Sequence, residues 1–236
     1  MPEIVSVAYW TELFTPPQAR SAKALRDLFT QLADACAYSN YRTLQPSGAV
    51  MAGREGAGDD DDEESTFTVT PDRLQVKEQR PTGVSIDEFQ DRVAHAVRGS
   101  TDTLAIPFFL HQRACLQALL HQNRHEQAMQ YMAEDVARLD AARLAGHMGK
   151  IGMVGIRCFV QPGGDGGPVV TPAYDVQIES SVRDPAYLWL SVTGNFPGPL
   201  PGVEPGGVVG NVRAVYDFVE SHVVPFVVGN TPPADQ

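Results

Sequence analysis

A rhythm of hydrophobic periods occurs twice along this chain and limits what it can fold into. A period-two stretch gives way to a long amphipathic helix, then to further period-two stretches, then to a second helix. The pattern starts near residue 3 and again near residue 106. Helices with one apolar face need a sheet to cover, and antiparallel strands with one apolar face need helices. The expected fold is therefore α+β: a duplicated strand-helix-strands-helix unit forming a curved antiparallel sheet, with long helices packed on one face. The halves divide as 1–104 and 105–228, packed as one compact unit, and 229–236 reads as a flexible tail. The halves match in element order only.

Individual elements follow from local signals. Residues 4–13 are rich in β-branched and aromatic side chains and predict a strand. Pro16-Pro17 ends it and opens a helix running from Gln18 to Cys36, with Leu25, Leu28 and Leu32 on its apolar face. Residues 41–52 predict a weaker strand broken at Pro46 and Gly48. Residues 66–80 alternate on both sides of Pro71-Asp72 and predict a hairpin. Ser85 and Glu88 have the spacing of a capping box, Val84 and Phe89 that of a hydrophobic staple, and Gly99 is a plausible stop.

Residues 106–121 decide the topology. Their even positions from Phe108 to Leu120 are almost wholly apolar and their odd positions mostly polar, which favours one long strand over the rival helix. A helix is expected from His125 to Leu144, strands at 150–160, 173–182 and 187–193, and an irregular Pro/Gly-rich loop at 195–210. Asn211 would cap a last helix carrying Val212, Val215, Val219 and Val223.

Charge excludes several functions. The net charge is −11, which opposes binding to nucleic acid or to anionic membrane surfaces. Six of the negatives lie in Asp59–Asp62, Glu63 and Glu64; without them the net charge is about −5. That run lacks the spacing and central glycine of a calcium loop and reads as a mobile, solvated segment. No apolar run reaches the roughly 20 residues that span a bilayer. The first residues carry no basic region ahead of an apolar one, so no secretion leader is expected. Three scattered cysteines (Cys36, Cys115, Cys158) suggest reduced thiols and a cytoplasmic protein.

No catalytic, cofactor or metal site is predicted. His121, His125 and Glu126 come nearest to a metal constellation, but the pair straddles an expected turn and lacks the order in which a glutamate lies between two histidines. Cys115 and His111 share a strand face about 13 Å apart, too far for direct activation. The glycine-rich stretches at 163–167 and 202–210 lack the lysine and spacing of a phosphate loop.

What remains is aromatic. Trp10, Tyr174, Tyr187 and Trp189 fall on expected strands and form a possible partner surface. The sequence thus favours a non-catalytic protein-binding or assembly module, with a protein partner or a second copy of itself. The alternative is a small apolar-ligand-binding protein with a pocket between helices and sheet, and an enzyme comes third.

Overall fold

The structure, a computed structural model, describes residues 4–45, 47–53, 64–79, 84–121, 125–140, 146, 151–161 and 172–228. The acidic run at 59–63, the glycine stretch at 163–167 and the tail 229–236 lie outside the described residues.

Among the described residues nine strands form one open antiparallel sheet. They are β1 (Ile4–Phe14), β2 (Asn40–Leu44), β3 (Gly48–Gly53), β4 (Glu64–Val69), β5 (Arg73–Gln79), β6 (Phe108–His121), β7 (Gly155–Val160), β8 (Ala173–Ser180) and β9 (Tyr187–Pro201). Their order across the sheet is β2-β3-β4-β5-β1-β6-β9-β8-β7. Among the described residues the helices with both ends defined are α1 (Ala22–Ala35), α2 (Ile86–Leu104), the single turn α3 (Ala128–Tyr131), α4 (Gly206–Phe218) and α5 (Val224–Val228). A π turn at Val219–Val223 joins the last two. None of the described helices is long and apolar enough to cross a membrane.

Local chemistry accounts for the starts. The Ser85 box is formed in full: Ser85 Oγ accepts from the Glu88 backbone N–H, and the Glu88 carboxylate accepts from the Ser85 N–H at 2.6 Å. α1 begins later than Pro16-Pro17 suggests, because Ser21 caps it by accepting from Ala24 N–H at 3.1 Å. Gly99 does not stop α2. The helix continues to Leu104, where Ala105 takes the left-handed conformation (φ 53°) that closes it. Gly99 is instead a contact point with α1: a Cβ there would lie 3.1 Å from Leu28 Cδ1 and 3.2 Å from Leu32 Cδ2.

The strands correct the sequence reading in three places. Residues 41–52 are two paired strands, β2 and β3, rather than one. Residues 106–121 form the expected long strand, but a bulge between Phe109 and His111 flips its phase. Phe109 is therefore buried while Phe108 and Leu110 are exposed, and the even positions are buried only from Gln112 onward. Residues 195–201 are not loop; β9 continues through them. Its pairing with β8 ends at Asn195, so Pro197, Pro199 and Pro201 lie where only β6 is hydrogen-bonded alongside, and their missing N–H groups cost nothing on the other edge. Gly198 permits the approach, since a Cβ there would meet Leu110 O at 2.4 Å.

Two helix expectations also change. The regular α-helix after His125 is only Ala128–Tyr131, followed by a π turn at Met132–Val136, and residues 141–145 lie outside the description. Asn211 is not a cap. α4 starts five residues earlier, at Gly206, and the Asn211 side chain donates to Gln112 Oε1 at 2.8 Å.

Cross-strand register sorts the sheet side chains into two faces. One carries Tyr9, Leu13, Phe67, Val76, Leu116, Ile178 and Leu190, all in the core. Side chains of this face meet the helices at Tyr9–Phe89 (ring centroids 5.4 Å) and Tyr174–Phe218 (4.0 Å), and Gln112 donates to the α4 carbonyl of Val208 at 2.9 Å. The other face is largely polar. Rows such as Gln75–Glu12–Arg113–Asn195 and Gln79–Ala8–Gln117–Ser191–Gln177 cross it. Glu12 is buried there because Arg73 Nη1 (2.7 Å), Gln75 Nε2 (3.1 Å) and Arg113 Nη1 (3.5 Å) surround it.

Candidate ligand groove

The sheet and the C-terminal helix do not close on each other along the β7–β8 side. Between them lies an open groove of about 850 Å³. Ile156, Cys158 and Val160 of β7 and Tyr174, Val176 and Ile178 of β8 form its floor. Ala214, Phe218, Val223 and Phe226 form the helical wall, and Asp217, Ser221, His222 and Gln161 supply the polar groups. Period-two alternation delivers every floor residue to the same face. On the helical side, α4 spends Val208, Val212 and Val215 on the core, and Val219 at the start of the π turn continues that stripe. The π turn then adds Ser221, His222 and Val223 to the groove, an irregularity common at functional sites.

The floor is held firmly. Tyr174 and Phe218 stack in parallel at 4.0 Å and 1°, and Phe196 meets Tyr174 edge-on at 6.3 Å. Burial, and then the charge of Asp217, push the Tyr174 phenol above its ordinary value. Gly194 has no side chain because a Cβ would lie 2.6 Å from the Phe196 ring and 2.7 Å from Val215 Cγ2. α5 is tied to α3 by the Tyr131 hydroxyl, which donates to Val227 O. Phe226, on the rim, is 57% exposed.

The four aromatics expected to form one partner surface are not brought together. Tyr174 faces the core and the groove. Trp10, Tyr187 and Trp189 are half-buried on the opposite, polar face. Trp10 sits beneath the Arg113 guanidinium (5.5 Å), and Tyr187 meets His121 edge-on at 5.2 Å. Trp10 pairs through Cys115 with Thr193, so it is four residues along and two strands across from Trp189, roughly 16 Å away. Gln117 and Ser191 lie between them. A second depression, about 630 Å³, lies beside Trp189 and mixes Leu119 and Met153 with Lys77, Gln79, Glu179 and Arg183.

The remaining candidates are dispersed. His125 Nε2 lies 3.2 Å from Asp135 Oδ2, whereas His121 packs on Tyr187, and residues 122–124 between the two histidines lie outside the description. Among the described residues no three His, Cys, Asp or Glu side chains converge on a point that could hold a metal ion. Cys36 is buried and its thiol is pushed up to about 11; burial also raises Cys115, whose Sγ is 3.8 Å from Ser191 Oγ. Cys158, in the groove, is exposed.

Sequence reasoning named only Tyr174 of the groove as a site residue. The available signal was in the last helix, where Phe218 and Phe226 stand off the valine stripe that satisfies the core. No protein family profile matches the chain, and no curated protein sequence is significantly similar to it.

Proposed function

We propose that this protein binds a small apolar molecule in the groove between β7–β8 and the C-terminal helix, without transforming it. One observation carries the reading: the groove's volume falls within the 300–1,000 Å³ typical of ligand sites, and its described walls are mainly aliphatic and aromatic. A neutral fluorescent probe such as N-phenyl-1-naphthylamine should bind saturably at one per chain and slow alkylation of Cys158. Ala214→Trp should fill the space and abolish both effects. Absence of saturable binding, or alkylation of Cys158 at the same rate with and without probe, sinks the reading.

A second reading, assembly with a protein partner or a second copy, draws support from Trp10, Tyr187 and Trp189, half-buried aromatics on the polar face. Light scattering at micromolar concentration tests it. A strict monomer whose stability and solubility survive Trp10→Ser and Trp189→Ser rules out self-association through this face.

The strand order also favours an internal duplication with the helices over one face. Outward from the central β1–β6 pair the sheet runs β5, β4, β3 on one side and β9, β8, β7 on the other. Each half begins with its long central strand and ends with a helix. The three free thiols favour a reducing compartment such as the cytoplasm.

A further inference from the structure

We infer that the ligand of this groove is an apolar organic cation: a hydrocarbon or aryl body carrying an ammonium group. The inference rests on the ligand-binding reading above and adds the charge of the ligand to it. Among the described lining residues there is no lysine or arginine, and Asp217 is the one carboxylate. A fatty acid or other apolar anion would therefore enter facing a negative group, in a protein already of net charge −11. The aromatic lining points the same way. Phe226 offers an exposed ring at the rim, whereas Tyr174 and Phe218 cover one another's faces and His222 packs on Phe218 at 5.1 Å. Ring faces attract an ammonium group electrostatically and give nothing comparable to a carboxylate.

Asp217 is placed to act on such a head group. Asp217 lines the same groove as Tyr174 and directly precedes Phe218, whose ring stacks on Tyr174. Its Oδ1 accepts from Arg213 Nε at 2.9 Å, but Arg213 also donates to Asp87 Oδ1 at 2.9 Å. One guanidinium shared between two carboxylates leaves the trio net negative. Arg213 holds the Asp217 side chain in place and does not cancel the charge it shows to the groove.

Three probes of equal chain length isolate the head group: decyltrimethylammonium, decanol and decanoate, each titrated by calorimetry below its micelle concentration. The ammonium should bind tightest and the carboxylate weakest, with about a tenfold span, the size of one exposed cation–π contact plus one partly exposed ion pair. Asp217→Asn should remove the ion-pair part of that span, weakening the ammonium a few-fold toward the alcohol, and leave the alcohol unchanged. Asp27→Asn, which removes an exposed charge on α1, controls for the overall negative field and should change neither. Decanoate binding as tightly as the ammonium, or Asp217→Asn behaving like Asp27→Asn, overturns the inference while leaving the groove reading intact. If no probe binds, including the neutral naphthylamine, the groove reading itself is lost.

Discussion

Gln112 tests whether the central strand pair and the last helix are joined by a buried polar network. It is fully enclosed (0% exposed) in the middle of the β6 core face. Its Nε2 donates to Thr11 Oγ1 on β1 (3.0 Å) and to Val208 O on α4 (2.9 Å), and its Oε1 accepts from Asn211 Nδ2 (2.8 Å). Gln112→Leu keeps the volume nearly constant and deletes all three bonds. At about 1 kcal/mol net for each, the loss is about 3 kcal/mol. Thr11 keeps its bond to Arg113 O (3.0 Å), and half-buried Asn211 can turn toward water, so neither adds a full desolvation penalty. The apolar leucine returns about 1 kcal/mol on burial. The expected net destabilisation is about 2 kcal/mol, or roughly 0.8 M in urea midpoint for a slope of about 2.5 kcal/mol/M. Gln112→Ala leaves a cavity as well and should cost about 4 kcal/mol. Urea unfolding followed by circular dichroism and by Trp10 and Trp189 fluorescence reads both. A leucine variant within about 0.5 kcal/mol of wild type, or no coupling between Gln112→Leu and Asn211→Leu in a double-mutant cycle, refutes the reasoning.

Ser85→Ala removes the acceptor for an N–H that no helical carbonyl can reach; it should cost about 1 kcal/mol and speed amide exchange at the start of α2, and unaltered exchange there would show that Ser85 is not the cap. Hydrogen bonds from the Ser85 backbone N–H, then from its hydroxyl, hold the Glu88 carboxyl below the ordinary glutamate range. Since its folded pKa is depressed, its stabilising effect is present above the unfolded glutamate pKa and disappears as pH falls through the folded one. The stability gap between wild type and Glu88→Gln should therefore narrow on acidification, and a gap that widens below pH 4 contradicts this cap geometry.

Most of the fold was legible because period and punctuation agreed. Ser85 and Glu88 announced α2, and Pro71-Asp72 announced the β4–β5 turn. The long alternation of β6 outweighed the helix propensity of its Leu, Gln and Ala residues. The failures arose where tertiary context decides. Gly99 reads as a stop because glycine destabilises helices, yet here it lies inside α2 where a Cβ would press on Leu28 and Leu32 at 3.1 and 3.2 Å. The prolines at 197, 199 and 201 read as loop because a paired strand cannot normally hold them. Only the register shows that β8 has ended and the N–H groups on that edge are not needed. Asn211 has the composition of a cap, but its partner Gln112 is 99 residues away, beyond any local pattern.

The groove was not legible for a related reason. Its walls come from 156–178 and 214–226, and each segment alone looks like ordinary core: alternating apolar residues on two strands and a valine stripe on a helix. A pocket is a failure of two apolar faces to close, and no single segment records that failure. The aromatic candidates show the converse. Trp10 and Trp189 looked like one surface because each alternates with apolar neighbours, but a shared face is not proximity. The register puts roughly 16 Å and a polar row between them. Tyr174, an aromatic on an expected strand like the two tryptophans, lies on the other side of the sheet, where its stacking on Phe218 makes it part of the groove floor. The periods place a side chain on a face correctly. Which faces meet, and where they leave space, depends on pairing between residues far apart in the chain, and the choice between assembly surface and ligand groove turns on that pairing.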